Sequence, residues 1–257
     1  MKNNYELAEC YAHRGFHDNE KAPENSMAAF RRAVEHGFAS ELDVHMIADG
    51  NLVVFHDDDL LRMTGAPGRI ADYDIETLSK LRLGGTDEMI PTFDEVLNLY
   101  EDSGLQLLIE LKVDKGNHKA LAAAVAKRLA RYDGAFAVQS FDPRAIRDFR
   151  KLIPGIALGL LTKNYFNKDD GAIKTFAAKM SNLMFNRVAG ADFAAFKFKD
   201  RKNSLLQRSI KRRGMGRLTW TIRTPEAYKA AVAAGCIPIF EGFDPAEIKE
   251  NGDKNEE

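Results

Sequence analysis

LQLLIELKVDKGNHKALAAAVAKRLARYDGAFAVQSF, residues 105–141, holds the unit from which the fold is read. Leu105–Leu111 is an apolar run of strand length, His118–Tyr132 is an amphipathic helical stretch, and Ala135–Phe141 is a second apolar run. Gly134 sits just past the helix, where a residue without Cβ ends it at little cost. Strand, helix and strand over so short a span make a βαβ unit, which calls for parallel pairing. The same alternation runs outward in both directions. Strand-like runs occur at Cys10–His13, Ser40–Val44, Ile156–Leu161, Asp192–Phe198, Leu218–Ile222 and Cys236–Glu241, bringing the total to eight. Helical stretches fall between them at Met27–His36, Phe93–Ser103, Pro143–Leu152, Asp169–Met180, Ser204–Arg213 and Pro225–Ala234. Ser26, Thr92, Asn203 and Thr224 (with Pro225 following) stand at helix starts as capping residues.

Eight strand–helix units in 257 residues are the signature of an α/β fold of the (β/α)8 TIM-barrel type. A doubly wound open sheet is the runner-up. It would want a glycine-rich phosphate loop after the first strand, where this chain has His13-Arg14-Gly15. We therefore read residues 1–257 as a single barrel domain. Asp57–Pro91 is too long for an ordinary connection and is read as a small, lid-like insertion between the second and third barrel strands, with a helical piece around Ile75–Leu81.

Composition narrows the classes. Lys plus Arg (37) nearly balances Asp plus Glu (38), giving a net charge of −1, so the basic excess of a nucleic-acid binder is missing. Met1–Glu9 carries no apolar run of the signal-peptide kind, and no stretch approaches the roughly 20 apolar residues of a membrane span. The reading is cytoplasmic, without an integral membrane segment. The only cysteines, Cys10 and Cys236, lie in apolar runs and are read as reduced core thiols, although barrel closure could make them neighbours. Eight basic residues from Lys199 to Arg217 are read as a solvated outer face rather than a membrane contact. Oligomeric state is not legible.

In a barrel of this type the chemistry lies at the C-terminal strand ends. His13 and Arg14 end the first strand, Glu41 and Asp43 the second, Glu110 and Lys112 the third. Alternation places Glu41 with Asp43, and Glu110 with Lys112, on common faces. His56 follows from the run Glu41-Leu-Asp-Val-His-Met-Ile-Ala-Asp-Gly-Asn-Leu-Val-Val-Phe-His56, which reads as a hairpin about Asp49-Gly50. A two-residue loop there pairs Ala48 with Asn51 and sets Asp43 directly opposite His56; a one-residue slip turns His56 away. His17, His36, His45 and His118 are read as capping or packing residues, with His45 facing away from Asp43.

A single strand-end carboxylate is usually a loop ion pair. Gathering Glu41, Asp43 and Glu110 costs several kcal/mol in like-charge burial unless something offsets it, and a divalent cation is the natural offset. Three carboxylates without cysteine or a third clustered histidine favour calcium or magnesium over zinc. Arg14 and Lys112 add fixed positive charge suited to phosphate. His13 and His56 can serve as general acid and base across a phosphorus atom. The set fits hydrolysis of a phosphodiester.

At these residues the chain resembles the glycerophosphodiester phosphodiesterase family. The matching pieces run from Ala12-His13-Arg14-Gly15 and Ala22-Pro23-Glu24-Asn25-Ser26 through Glu41-Leu42-Asp43-Val44, Val54-Phe55-His56-Asp57, Thr64-Gly65 and Ile90-Pro91-Thr92. They continue with Ile109-Glu110-Leu111-Lys112, Gln139-Ser140-Phe141-Asp142 and Trp220-Thr221. The resemblance implies a (β/α)8 barrel with a small insertion and cleavage of glycerophosphodiesters to glycerol 3-phosphate and an alcohol. It implies Glu41, Asp43 and Glu110 as ligands of a divalent metal, His13 and His56 as the acid–base pair, and Arg14 and Lys112 on the phosphate. Glu24 and Asn25 would tie down the loop after strand one. Trp220 would line the alcohol pocket or pack as a core residue. Two places depart from the family pattern. Where many members read Trp-Thr-Val-Asn, this chain reads Trp220-Thr221-Ile222-Arg223. Where a Thr-Asp-x-Pro pattern is common, it reads Phe240-Glu241-Gly242-Phe243-Asp244-Pro245. The alternatives are a lysophospholipase D on the same barrel, with Leu60, Leu61 and Met63 forming an apolar groove, and a non-catalytic barrel binding phosphorylated ligands.

Overall fold

The computed structural model describes residues 6–162 and 189–248. Eight parallel strands form the barrel: β1 (Tyr11–Ala12), β2 (Ser40–Met46), β4 (Leu107–Leu111), β5 (Phe136–Ser140), β6 (Leu158–Thr162), β7 (Phe193–Lys197), β8 (Gly216–Ile222) and β9 (Ile237–Phe240). β1 pairs with both β2 and β9, which closes the sheet and abolishes its edges. A ninth strand, β3 (Leu52–Val54), pairs antiparallel with β2 on the outside of the closure. The outer helices are α1 (Met27–Glu35), α4 (Phe93–Tyr100), α5 (His118–Leu129), α6 (Pro143–Leu152), α7 (Ser204–Arg213) and α8 (Pro225–Ala233). The helix read at Asp169–Met180 lies outside the described residues.

Capping follows the sequence. Ser26 and Thr224 accept from the third residue of their helices, and Thr92 forms a reciprocal capping box with Glu95. Strand alternation then sorts the side chains into two layers. Leu42 and Val44 on β2, Leu107, Ile109 and Leu111 on β4, and Val138 on β5 point outward into the layer beneath the helices, with Phe30, Val96, Leu121 and Phe149. The intervening residues point into the barrel. Tyr11, Leu108, Ala137, Phe193, Ala195, Leu218 and Ile239 fill its lower part, each large one worth roughly 2 kcal/mol of burial. Two residues further along each strand the same inward positions hold His13, Glu110, Gln139, Lys197, Trp220 and Glu241. The apolar layer thus becomes a polar mouth at the C-terminal end without any change in strand geometry.

The hairpin exists, but its register differs from the expectation. Val44 pairs with Val54 and Met46 with Leu52, so Asp43 lies opposite Phe55 and not His56. The Phe55 N–H donates to the Asp43 carbonyl at 2.9 Å. The loop has three residues, with Ile47 N–H donating to the Asn51 carbonyl and Gly50 at φ +81°, the left-handed position such loops require. His56 still reaches the mouth because β3 stops at Val54 and the chain leaves the ladder before the slip can matter. His45 also departs from its reading. Two residues from Asp43 on one strand it shares that face, and it is buried beside Asp43 and Lys112.

Residues 57–91 carry two short helices, α2 (Leu61–Thr64) and α3 (Ile75–Leu78), around a 3-10 turn at Ile70–Asp72. Leu60, Ile70, Leu78, Leu83 and Ile90 pack with Ile47, Val53 and Phe55 as a cluster separate from the barrel core. Leu60 is therefore fully buried and Met63 packs against the same cluster, leaving only Leu61 exposed for the apolar groove considered above. Cys10 and Cys236 form no disulfide. Among the described residues, no helix is long and apolar enough to cross a membrane.

Candidate active site

The turn after β1 presents His13 and Arg14 in an unusual backbone. Arg14 has φ +55° and Gly15 φ +79°, and a Cβ on Gly15 would stand 2.9 Å from the backbone and side chain of Ala29 on α1. Asn25, also at positive φ, donates its backbone N–H to the Arg14 carbonyl and its side-chain amide to Asp43 Oδ2 at 2.9 Å. The Arg14 guanidinium donates to Glu24 at 2.7 Å and lies 3.6 Å from Asp43, while its backbone N–H reaches Glu41 at 3.2 Å. Glu24 and Asn25 thus hold the loop, as their motif suggested.

Glu41, Asp43 and Glu110 are all buried, and one carboxylate oxygen from each lies within 4.8 Å of the others. Asp43 and Glu110 are register partners across β2 and β4. Lys112 places its ammonium 3.3 Å from Asp43 and 3.0 Å from Glu110. Burial and the neighbouring carboxylates Asp43 and Glu110 push Glu41 well above the usual carboxylate range. Burial likewise pushes Glu110 up to about 6, against the pull of Lys112. At Asp43 the same burial is outweighed by Lys112, His56, Arg14 and the Asn25 amide, which hold it far below that range. Three buried carboxylates in one cluster, two of them pushed toward protonation even with the Lys112 ammonium 3.3 Å from Asp43 Oδ1, are what an oxygen-ligand cation site looks like before its charge is balanced. The trio could hold a divalent cation.

The two imidazoles flank this trio. His56 Nδ1 lies 2.6 Å from Asp57, whose other oxygen accepts from Arg62 Nε at 2.5 Å. His13 Nδ1 lies 2.5 Å from Glu241 Oε2, whose other oxygen accepts from Arg223 Nε at 2.7 Å. Burial lowers both histidines below the usual imidazole value, with Glu241 opposing this at His13 and Asp43 at His56. His13, Arg14, Glu41, Asp43, His56 and Glu110 all line one cavity of about 670 Å3. Lys112 lines the adjoining groove, which His56 shares. On the far wall Trp220 stands edge-on to Phe141, with the Lys197 ammonium 5.4 Å above its ring.

Glu241, a departure from the family pattern, and His17, read as a packing residue, both lie in the cavity wall together with Gln139 and Lys197, with His17 Nε2 at 3.6 Å from Glu241.

The sequence model of the glycerophosphoryl diester phosphodiesterase family matches residues 13–243. The chain belongs to that family. Within it, the chain is 30% identical over 256 residues to the putative glycerophosphodiester phosphodiesterase YhdW of Bacillus subtilis (strain 168), covering 95% of this chain and 98% of that protein. A glycerophosphodiester phosphodiesterase of Caldanaerobacter subterraneus subsp. tengcongensis is 35% identical over 159 residues, covering 58% of this chain and 65% of that protein. The solved structure of an Oleispira antarctica phosphodiesterase, in complex with the product sn-glycerol-3-phosphate, superposes with a TM-score of 0.79 at 25% identity, covering 96% and 97% of the two chains. The TIM-barrel reading and the family resemblance both hold, and the chain is a phosphodiesterase of this family rather than a non-catalytic barrel.

Proposed function

We propose that this glycerophosphodiester phosphodiesterase hydrolyses small glycerophosphodiesters to sn-glycerol 3-phosphate and an alcohol, with His13 and His56 as the acid–base pair. One observation carries the reading: both imidazoles line the same cavity as the Glu41, Asp43 and Glu110 carboxylates. The product bound by the Oleispira antarctica relative supports the substrate class.

Glu41, Asp43 and Glu110 would hold calcium or magnesium, which when bound supplies Lewis acidity and neutralises charge on the phosphoryl group. The chain's own groups do the rest. Arg14, fixed by Glu24, offers its guanidinium to phosphate oxygens, and Lys112 adds a second cation from the His56 side. One imidazole removes a proton from the attacking water as its oxygen bonds to phosphorus. The other gives its proton to the alcohol oxygen as the second P–O bond breaks. Burial favours the neutral ring at both positions, as the base requires, while Glu241 at His13 and Asp43 at His56 oppose it by favouring the protonated ring that the acid requires. Trp220 and Phe141 line the alcohol side. Residues 57–91 act as a small insertion within one barrel, and two unbridged cysteines suit a reducing, cytoplasmic setting.

The test is release of glycerol 3-phosphate from glycerophosphocholine and glycerophosphoethanolamine, with and without chelator, by wild type and His13→Ala. Chelator-sensitive release that His13→Ala loses is expected. No release from any glycerophosphodiester would sink the proposal.

A further inference from the structure

The two departures from the family pattern are neighbours. Ile222 and Phe240 are the last register partners of β8 and β9, and Arg223 and Glu241 each follow by one residue. Arg223 Nε donates to Glu241 Oε1 at 2.7 Å, and Glu241 Oε2 meets His13 Nδ1 at 2.5 Å. The chain Arg223–Glu241–His13 repeats, on the far side of the mouth, the chain Arg62–Asp57–His56. In both, arginine Nε holds one carboxylate oxygen and imidazole Nδ1 takes the other.

We propose that Glu241 is the positioning carboxylate of His13 and that Arg223 clamps Glu241 for that task. The reasoning rests on the proposed acid–base role of His13. An ionised carboxylate has no proton to donate, so the 2.5 Å contact places the ring proton on Nδ1. Nε2 is then the nitrogen that exchanges protons in the cavity. Without a partner, neutral imidazole divides between two tautomers and rotates, and a ring in the wrong state cannot act. Glu241 is well placed to stay ionised: only 16% of its side chain is exposed, yet His13, His17 and Arg223 all surround it. A metal shared by His13, His17 and Glu241 is a poorer account of the same atoms. Two ligands of one tetrahedral cation at bonds of about 2.0–2.1 Å stand roughly 3.3 Å apart, whereas Nδ1 and Oε2 stand at hydrogen-bond distance. His17, also buried, stands 3.6 Å from the same oxygen, beyond hydrogen-bond distance.

The experiment combines histidine 15N NMR with steady-state kinetics on wild type, Glu241→Ala, Glu241→Gln, Arg223→Asn and His13→Ala, the last to assign the resonance. Wild-type His13 should show protonated Nδ1 and unprotonated Nε2. Glu241→Ala should shift His13 toward the other tautomer and lower kcat about 10- to 100-fold, the usual cost of losing an orienting partner, with KM changed much less. Glu241→Gln, whose amide N–H can turn toward Nδ1 as that of Asp57→Asn can, should favour the wrong tautomer and recover none of that loss, and Arg223→Asn should lower kcat by a smaller factor. An unchanged His13 tautomer in Glu241→Ala, or a change confined to KM, would overturn the assignment. Full activity in His13→Ala would instead overturn the acid–base reading, while the tautomer still tests the Glu241 contact independently of turnover.

Discussion

Asp43 and Glu110 face each other across the β2–β4 pairing, inside the barrel and bridged by the Lys112 ammonium. Lys112 and Arg14, the latter shared with Glu24, do not balance three carboxylates, and Glu41 and Glu110 remain pushed toward their neutral forms. Cation binding should therefore stabilise the fold as well as complete the site. At 100 times Kd the gain is about 2.7 kcal/mol, read as a rise in Tm on adding calcium or magnesium that chelator reverses. Glu110→Gln should weaken binding in calorimetry by roughly tenfold or more, since affinity follows ligand charge. In chelator the same variant should melt no lower than wild type, because one repelling charge is gone. Unchanged affinity would remove Glu110 from the ligand set.

His56 is held by Asp57, and Asp57 by Arg62. Asp57→Asn removes the charge and can turn an amide N–H toward Nδ1, which favours the wrong tautomer. A fall in kcat of about 10- to 100-fold is expected with KM nearly constant. Arg62→Ala should cost less, because Arg62 is about half exposed and Asp57 keeps its other contact. Equal losses in the two variants would mean that Arg62 acts through Glu24, which it also grips at 2.6 Å, rather than through Asp57.

Period-two alternation made most of this site readable. Glu41 with Asp43 and Glu110 with Lys112 follow from spacing alone, and strand order brings them together. The same rule, applied from Ile237 through Ile239, puts Glu241 inside the barrel, and applied from Asp43 it puts His45 on the Asp43 face. Glu241 ends a strand-like run but departs from the family pattern there, so the pattern attaches no role to it, and His45 is legible only when it is read with Asp43 on their common strand. The hairpin register was illegible for a different reason. Asp49-Gly50 serves both a two-residue loop and a three-residue loop with glycine in the left-handed position, and only the paired strands decide between them. His17 had no periodic context at all; its place depends on how the loop after β1 folds back over the mouth.

His45 gives a pH signature in stability. Burial first, then Lys112, lowers it to about 4, and its Nε2 has no hydrogen-bond partner. Its folded value lies below the unfolded value of about 6.5. The unfolded chain therefore binds the extra proton between pH 6.5 and 4, and stability is lost as pH falls through that window. The full effect is about 3 kcal/mol, on the scale of 1.36 kcal/mol per pKa unit. His13 and His56, also lowered, add slope of the same sign. Urea unfolding at intervals from pH 7.5 to 4 should show a shallower decline in His45→Gln than in wild type. Parallel curves would refute a neutral, buried His45.

Gly15 is where backbone geometry and chemistry meet most directly. A methyl group there has to displace Ala29 from 2.9 Å, and α1 is pinned by its Ser26 cap and its buried Phe30. The turn is the softer partner, so Gly15→Ala should move the backbone that carries His13 and Arg14. Gly37 is the matched control: its φ is +71° and nothing lies within 4 Å of an added Cβ. Gly37→Ala bears only the left-handed strain, about 1–2 kcal/mol, and should keep wild-type kcat. Gly15→Ala bears that strain plus overpacking of about 1–3 kcal/mol, and should also lower kcat tenfold or more by displacing the reacting groups. Urea melts and kcat measured on both variants separate the two costs. A Gly15→Ala enzyme destabilised like Gly37→Ala but fully active would show that α1 yields instead, and that the His13-Arg14 turn is set by Asn25 and Glu24 alone.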